Sequence, residues 1–488
     1  MKRIARCALL GLILCTGAVQ AQTEDCGCRE EFDFVVRYLE ANLPAFHQDV
    51  TADNRAAYTD FRDALRQKAS QATDRNACFR YLTQYVEFFQ DNHTKMRNRG
   101  TVTVDESDPT NLAEFRNGSL YRDTETLPLP DDSVLTDFPL TDIRGVYVST
   151  DSQYTVAVID AQTEFRDYAG VILDARNELW TPGQVKFELK RKDSRTVEGF
   201  LYDRYHRAEY LTAVGFGAGF LGEHWVKRER ADKVNHSLNP ERAFTYRVAD
   251  STVILRVPSF MSSHTRTLDS LYHAAADEIG RHPYLLIDVR DNGGGNSSNF
   301  SALLPYLYTR PIVNDETVEL YATEDIIALY QADFDRIMQD SSQVNTETIA
   351  AFREGLAAMR AAEPNTFVRE EYSDTLVLPV LDTPRRVGIL YNKGCASACE
   401  DLLFTARQSD KTVLLGDNSG GFVGYGNMFT VYTPCNGFGL SMSTSRYGTQ
   451  WKYEVVGIAP DYRLDYDRDW IGQAIRVLRR TGRDNGND

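Results

Sequence analysis

The sequence has no apolar run long enough to span a bilayer after its first twenty residues, and it has no excess of positive charge. Its 54 Lys and Arg residues are outnumbered by 70 Asp and Glu residues, giving a formal net charge of -16 at pH 7. Phosphate binding requires clustered basic side chains, and a spanning helix needs about 20 apolar residues. We therefore expect neither a nucleic-acid partner nor a membrane span.

Three chemical motifs are also missing. The Gly-rich run at residues 291–296 has no Lys-Ser/Thr sequel, so it does not fit a phosphate-binding loop. Ser397 lacks the Gly-x-Ser-x-Gly frame of an α/β-hydrolase. Cysteine pairs do not recur at zinc-finger spacing. These absences argue against nucleotide and lipase chemistry, and we expect neither a metal nor a cofactor.

The N-terminus is typical of a secretory signal. Basic residues at Lys2, Arg3 and Arg6 precede an apolar run at residues 8–14 and a small-residue pattern that ends at Ala21. We expect residues 1–21 to be removed and the mature protein to be exported, to the periplasm or the extracellular space. An even set of cysteines then remains, and disulfides are expected in an oxidising compartment: Cys26, Cys28, Cys78, Cys395, Cys399 and Cys435. Their spacing suggests one group joining the N-terminal segment to Cys78 and another beside Ser397, with the pairing left open.

Hydrophobic periodicity divides the chain into regions of different character. The predicted fold class is an α/β catalytic core with a parallel-rich sheet and covering helices, preceded by an N-terminal helical domain and a mainly β middle domain. The predicted boundaries are 22–100 for the helical domain, 101–140 for a linker, 141–250 for the β domain, 251–472 for the core with a helical insertion at about 324–362, and 473–488 for the C-terminal helix end and tail.

Two turns in the core carry the chemistry. A buried strand from Val387 leads through Lys393-Gly-Cys-Ala-Ser397 into a helix, so Ser397 lies where free backbone N–H groups can hold a negative oxygen. A second strand ends at Asp291-Asn-Gly-Gly-Gly295, where bare backbone allows a substrate carbonyl to approach. A hydroxyl beside oriented N–H groups indicates acyl transfer.

At this point the residues resemble the tail-specific (C-terminal processing) and tricorn-core serine peptidases, over roughly residues 250–470. The matching motifs are Leu286–Gly295, Val387–Glu400, Gly416–Gly421 and Gly457–Asp461, with a weaker match at Asp91-Asn-His-Thr94. Within them, Cys395-Ala-Ser-Ala-Cys-Glu400 is similar to the family's Thr/Ser-Ala-Ser-Ala-Ser-Glu with cysteines in place of both flanking hydroxyl residues.

The resemblance implies a crotonase-like core in which Ser397 is the nucleophile. The N–H of Ala398 and that of Gly294 or Gly295 would form the oxyanion hole. Asp288 and Arg290, on a nearly continuous apolar strand, are expected to be paired and structural.

The sequence differs from the tail-specific branch in the residue that would act as the general base for Ser397. That branch uses a lysine after the Gly-rich turn. This sequence has Phe422 there, so it is closer to the Ser-His-Glu branch. By the same resemblance His93, directly after an apolar helix, is the base, and Glu454 fixes the tautomer of its ring. The tricorn-like histidine position holds Arg256 instead, and His264 is the main rival to His93.

The sequence thus predicts an exported serine-type endopeptidase that cleaves proteins or peptides through an acyl-enzyme on Ser397. The alternatives are a catalytically inactive peptide-binding pseudo-protease and an envelope-assembly factor. The sequence predicts neither the physiological substrate nor the oligomeric state.

Overall fold

The computed structural model describes residues 26–481 apart from 101–102, 130, 132–134, 136–137, 218, 223, 230–241, 340–345, 449 and 467. The predicted signal peptide at residues 1–21 and the predicted tail after residue 481 lie outside the described residues. Among those described, no helix combines the length and apolar character needed to cross a bilayer.

The elements are numbered here in chain order. The helices are α1 Cys28–Asn42, α2 Pro44–Asp49, α3 Arg55–Ala69, α4 Arg75–Val86, α5 Pro109–Asn117, α6 Ser119–Arg122, α7 Thr265–Arg281, α8 Leu304–Leu307, α9 Glu324–Gln339, α10 Thr346–Ala361, α11 Ala398–Ala406 and α12 Trp470–Thr481. The strands are β1 Lys95–Arg97, β2 Gly145–Ser149, β3 Tyr154–Asp160, β4 Tyr168–Ala175, β5 Val185–Arg191, β6 Thr196–Tyr202, β7 Ala208–Gly217, β8 Phe220–Leu221, β9 Trp225–Lys227, β10 Thr245–Ala249, β11 Thr252–Arg256, β12 Tyr284–Asp288, β13 Ile312–Ala322, β14 Thr366–Leu376, β15 Arg386–Tyr391, β16 Thr412–Gly416, β17 Tyr425–Tyr432, β18 Gly439–Tyr447 and β19 Tyr462–Arg463.

Helices α1 to α4 pack around an apolar centre. Phe32 and Leu39 of α1 and Phe79 and Leu82 of α4 are fully buried there, as helical spacing of apolar residues requires. Helix α4 begins where the Asp74 carboxylate accepts the N–H of Ala77 at 2.7 Å, an N-cap that satisfies one free donor. The last turn of α4 leads directly to the segment that carries His93.

Part of the predicted linker at residues 101–140 is helical. Pro109 starts α5, and the Asp108 side chain caps it by accepting the N–H of Thr110. Proline and aspartate favoured a linker in the sequence, but both are also preferred at the first turn of a helix. Only their position relative to the apolar residues distinguishes the two cases.

The middle region forms a closed barrel of β2 to β9. Neighbouring strands are antiparallel throughout, and the pairing of β2 with β9 closes the barrel. Closure leaves no free sheet edge. Strand β10, which we predicted as part of the β domain ending at residue 250, lies in a different sheet and pairs with β11 through a turn at Asp250 and Ser251, both with positive φ.

The core sheet has the order β10-β11-β12-β15-β16-β19. Within it, the pairs from β11 through β12, β15 and β16 to β19 are parallel, and β10 is antiparallel to β11. Helices α7 and α11 cover one face, and α12 covers the other, where Trp470 and Leu478 pack against Leu286 and Leu390. Burial on both faces explains why the strand sequences are nearly continuous apolar runs.

A second, antiparallel sheet has the order β1-β18-β13-β14, with β17 beside β18. The predicted helical insertion corresponds to α9 and α10, which connect the paired strands β13 and β14. Strand β1 comes from the N-terminal region, and Lys95 lies opposite Ser441 of β18. This pairing, which the sequence pattern did not predict, brings the chain after His93 next to the C-terminal third of the molecule.

Three disulfides join the six cysteines whose pairing the sequence left open: Cys26–Cys435, Cys28–Cys78 and Cys395–Cys399. The Cys28–Cys78 bond joins α1 to α4, and Cys26–Cys435 ties the start of the described chain to the segment between β17 and β18. The Cys395–Cys399 bond closes a small ring around Ser397.

Candidate active site

The two predicted turns are in direct contact at one edge of the core sheet. Strands β12 and β15 are parallel neighbours, so the segments that follow them leave the sheet at the same edge. A Cβ atom added to Gly294 would lie 2.4 Å from the carbonyl oxygen of Ala396 and 3.0 Å from Cβ of Ser397. With φ of +88°, position 294 requires glycine for its conformation and for this close approach.

Ser397 is the N-cap of α11 and has φ of +56° and ψ of -122°. Residues with a Cβ atom rarely adopt this conformation, which costs about 1–3 kcal/mol. Such strain persists only where surrounding contacts enforce it. It places the serine at a sharp strand-to-helix junction.

Glu400 is the principal contact that fixes this junction. Its buried carboxylate accepts the N–H of Ser397 at 3.0 Å, the hydroxyl of Ser419 at 2.6 Å, and the N–H groups of Gly421 and Phe422 at 2.9 and 2.8 Å. Burial raises the pKa of Glu400, while these donors act in the opposite direction. Glu400 thus joins Ser397 to residues Ser419–Gly424, here called the Ser419 loop.

The backbone N–H groups near Ser397 differ in their availability. The N–H of Gly294 donates to the side chain of Asn292 at 3.0 Å. In the part of the chain that the structure describes, the N–H groups of Ala398 and Gly295 have no hydrogen-bond acceptor. Of the two predicted glycine donors, Gly295 is therefore the one that could hold an oxyanion together with Ala398.

Asn292 organises this edge through its side-chain amide and its backbone carbonyl group. Its Nδ2 donates to the carbonyl oxygen of Val257 at 3.0 Å, and its backbone carbonyl oxygen accepts the N–H of Ala396 at 3.1 Å. Asn292 is fully buried. It therefore connects the glycine turn both to the end of β11 and to the serine turn.

Asp288, Arg290 and Arg256 form a buried ionic group below the turns. Arg290 donates twice to the Asp288 carboxylate, at 2.8 and 2.5 Å, and Arg256 donates to the carbonyl oxygen of Arg290 at 2.7 Å. These contacts satisfy charges that would be costly to bury alone. As expected from the sequence, Asp288 and Arg290 are paired.

His93 follows α4 and is attached to the catalytic core through its neighbours. The side chain of Asn92 donates to the carbonyl oxygens of Gly421 at 2.7 Å and Gly420 at 3.3 Å. The N–H of Asn92 donates to Glu454 at 2.8 Å, and the N–H of His93 donates to Asp91 at 2.9 Å. These bonds fix the His93 backbone against the Ser419 loop.

The His93 ring meets the Ser419 loop edge-on, with its centroid 5.3 Å from that of Phe422. Its Nδ1 is buried and lacks a hydrogen-bond partner among the described residues. Burial lowers the pKa of His93, although the Asp91 carboxylate acts in the opposite direction. A neutral imidazole is thereby favoured, as a general base requires.

Ser397 and His93 are connected indirectly, through Glu400 and Phe422. Phe422 contacts the His93 ring with its own ring and donates its N–H to Glu400, which also accepts the N–H of Ser397. Within the described residues, no hydrogen bond joins the side chains of Ser397 and His93. The Ser419 loop is the shared support of both.

Glu454 is buried beside the same loop. Its carboxylate accepts the N–H groups of Val423 at 2.8 Å and Gly424 at 2.6 Å, in addition to that of Asn92. Burial, followed by the negative charge of Asp91, raises the pKa of Glu454 to about 8, and the three N–H donors act against this. The residue after it, Val455, has φ of +65°, a strained value for a β-branched side chain.

Asp91, His93 and Glu454 form a cluster. One potential ligand atom from each lies within 4.8 Å of the others, and these are the residues of the described chain that could hold a metal ion. The Asp91 carboxylate already accepts the N–H of His93 and the hydroxyls of Thr94 and Ser443. Because both carboxylates already accept hydrogen bonds, fewer of their lone pairs are free to coordinate a cation.

The rival base His264 and the lysines Lys393 and Lys452 make other contacts. The His264 ring packs on Phe244 at 5.0 Å, before α7, and within the described residues it has no hydrogen bond to Ser397. Burial lowers the pKa of Lys393, and the negative charge of Asp193 acts in the opposite direction. The Lys452 ammonium lies 5.1 Å from the ring centroid of Tyr453.

Three residues of this region were missed by the sequence prediction. Glu400 had a usable signal, because Ser397 and Glu400 have capping-box spacing. Asp91 lies two positions before His93, but nothing local distinguishes it from an ordinary turn residue. Lys95 had no signal; its ammonium lies 4.8 Å from the Phe422 ring centroid, and burial lowers its pKa.

Residues 251–464 match the family model described as Peptidase family S41. This segment is thus similar to the domain of the S41 peptidases, a group of hydrolases that act on peptide bonds. The match includes both turns, the Ser419 loop and Glu454, but not His93. No curated protein sequence matches the chain significantly.

Several solved structures resemble the whole chain at low identity. A putative peptidase from Parabacteroides merdae is 15% identical, with 93% of this chain and 97% of that chain covered and a TM-score of 0.41. Mature CPAF is 11% identical, with 94% and 99% covered and a TM-score of 0.49. The photosystem II D1 C-terminal processing protease is 13% identical, with 93% and 97% covered and a TM-score of 0.35. Likenesses this distant carry no argument about activity.

Proposed function

We propose that this protein is an exported serine endopeptidase of the Ser-His-Glu type, with Ser397 as its nucleophile. The observation that carries the proposal is the contact between the strained Ser397 turn and the glycine turn, which leaves the N–H groups of Ala398 and Gly295 without acceptors. The S41 match over the same segments supports the same chemistry.

In the proposed reaction the hydroxyl oxygen of Ser397 attacks the carbonyl carbon of a substrate peptide bond while His93 accepts its proton. The carbonyl oxygen becomes negative and is held by the N–H groups of Ala398 and Gly295. His93 then returns the proton to the leaving amine, which gives an acyl-enzyme on Ser397. Water, deprotonated by the same imidazole, releases the acid product.

The position of His93 supports its role as the base. Its ring contacts Phe422, whose N–H donates to the Glu400 carboxylate that also accepts the N–H of Ser397. Burial lowers the pKa of His93. Glu454 and Asp91 lie within 4.8 Å of it to stabilise the imidazolium. Hydrogen bonds between a nucleophile and its base are often long without substrate, so we propose that substrate binding brings Ser397 and His93 together.

Two further points belong to the proposal. The parallel sheet with helices on both faces supports a crotonase-like core. The signal-like N-terminus and three disulfides support export, since disulfides persist in oxidising compartments.

The test is labelling of the purified protein with a fluorophosphonate, combined with cleavage of casein. The wild type should be labelled at Ser397. Ser397→Ala should lose labelling and about 10⁴-fold or more in kcat while keeping its fold, because no other group supplies the nucleophile. His93→Ala should fold and lose about 10²–10⁴-fold, the usual contribution of a general base.

Two matched variants serve as controls. Ser298→Ala removes an exposed serine just after the glycine turn, and His264→Ala removes the rival histidine; both should keep near wild-type activity. A wild-type protein that neither reacts nor cleaves casein would reject the proposal and favour a peptide-binding protein. If His264→Ala lost activity while His93→Ala remained active, His264 would be the base.

A further inference from the structure

We propose that the Cys395–Cys399 disulfide is a positioning device for the nucleophile, holding Ser397 in the conformation from which it attacks. This inference rests on the proposed function and goes beyond it by assigning a role to two residues outside the triad. The bond joins residues four apart, with Cα atoms 5.4 Å from one another, and encloses Ala396, Ser397 and Ala398. The ring therefore contains both the proposed nucleophile and a proposed oxyanion donor.

The first argument is the conformation of Ser397. Its φ of +56° and ψ of -122° suit glycine rather than serine. A strained residue stays in place only when its neighbours over-determine it. The Glu400 carboxylate fixes the N–H of Ser397, and the disulfide fixes the two residues that begin and end the turn.

The second argument is the way in which the two cysteines are anchored. The N–H of Cys395 donates to Asn392 at 2.9 Å and its carbonyl oxygen accepts the N–H of Gly420 at 2.8 Å. Cys399 donates to the carbonyl oxygen of Ala396 at 3.1 Å, inside the ring. Both cysteine side chains are fully buried in the core cluster. The two ends of the Ser397 turn are thus joined covalently to each other, and one of them is also bonded to Gly420 of the Ser419 loop.

The third argument is a comparison with the other two disulfides. They join residues 50 and 409 positions apart, whereas Cys395–Cys399 spans four. In the chain-entropy description, the stabilisation from a crosslink grows with the length of the loop that it closes. The shortest crosslink therefore contributes least to overall stability, and it is the one beside the reacting hydroxyl. We infer that this disulfide acts mainly on the local geometry of the Ser397 turn.

The test compares Cys395→Ala/Cys399→Ala with the matched control Cys28→Ala/Cys78→Ala, which removes another buried disulfide. The first variant should lose about 10- to 100-fold in kcat, since misplacement by about 1 Å can cost 10²-fold, while KM changes less than about twofold. Fluorophosphonate labelling of Ser397 should slow in parallel, and the melting temperature should change little. The control should lower the melting temperature and keep kcat within about twofold.

The second variant, Cys395→Ser/Cys399→Ser, places hydroxyl residues at these two positions, as in the family that the sequence resembles. We expect its kcat to lie between the alanine pair and the wild type. An alanine pair with unchanged kcat and labelling rate would overturn the proposal, as would failure of both pairs to fold, because the bond would then serve folding. A wild-type protein that is not labelled at all would instead reject the proposed function.

Discussion

Ser397 and His93 both depend on a buried glutamate, but the two glutamates are supplied in different ways. Glu400 lies three positions after Ser397 and belongs to the same helix. Glu454 lies 362 positions after Asn92, the neighbour of His93 that it binds. Ser397 and its glutamate, here called the serine half of the site, therefore lie in one continuous segment, whereas His93 and its glutamate, the histidine half, are brought together across the molecule.

The supports of the two halves differ accordingly. The serine half has a disulfide ring, a capping carboxylate and a glycine turn in direct contact with it. The histidine half is attached through the Asn92 side chain, the Glu454 carboxylate and the short β1–β18 pairing. We infer that the serine half is preorganised and that the histidine half is the easier one to displace.

The largest effect is expected from Glu400→Ala, which removes the acceptor of four hydrogen bonds. Buried donors left without partners should lower the free energy of unfolding by about 3 kcal/mol or more, measured by urea denaturation. The Ser397 turn should relax, and kcat should fall about 10²–10³-fold. Glu400→Gln, which keeps the shape, should lose less of both; equal stability of wild type and Glu400→Ala would contradict the assigned role.

A smaller effect, with a clear pH signature, is expected from Glu454→Gln. The pKa of Glu454 is raised to about 8, so its negative charge develops only near that pH. If this charge stabilises the His93 imidazolium, kcat/KM of the wild type should rise with pH in a limb near 8. The limb should be absent from Glu454→Gln, which should be about tenfold less active at pH 9.

The same shift fixes the sign of a stability effect. An acid whose pKa is about 8 when folded and 4.5 as the reference value keeps its proton in the folded state alone between these pH values. The free energy of unfolding should therefore fall as pH rises from about 4.5 to about 8, and Glu454→Gln should reduce this slope. An unchanged slope and an unchanged activity limb would assign the orienting role to Asp91, which Asp91→Asn would test.

The smallest effect is expected from Asn92→Ala, which weakens the attachment of the histidine half. Loss of the bonds to Gly420 and Gly421 should cost about 1 kcal/mol of stability and about fivefold in kcat. Asn76→Ala, which removes buried bonds to His206, Ala208 and Asn98 away from the site, should cost at least as much stability and leave kcat unchanged. Equal kcat losses in the two variants would contradict a specific role for Asn92.

The regular elements near the serine were predictable because their signals are local. Continuous apolar runs identified β12 and β15 as buried strands, and the glycines after them identified the turns. Parallel pairing then required both turns to share an edge of the sheet. The position of the Ser397 turn beside Gly294 and Gly295 was implied by the family resemblance rather than by these local signals.

Other features were missed for two reasons. The β10–β11 hairpin and the helices within residues 101–140 are local structures, whose turn and proline residues favoured a domain boundary and a linker. The antiparallel sheet that contains β1 depends on long-range pairing. A strand of three residues such as β1 carries too little pattern to reveal its partner. The disulfide pairing was open for the same reason, since six cysteines allow 15 connectivities.

By itself, the sequence determined that a serine lies at a strand-to-helix junction and that a second strand ends at a glycine turn, because backbone conformation and apolar burial are encoded by neighbouring residues. The tertiary structure alone decided that His93, Asp91 and Glu454 lie together beside the Ser419 loop. It also decided that the N–H of Gly294 donates to Asn292 and that a disulfide joins the residues on either side of the Ser397 turn. These contacts join residues that are distant along the chain or depend on the direction of single N–H groups, and only the packed fold sets either of them.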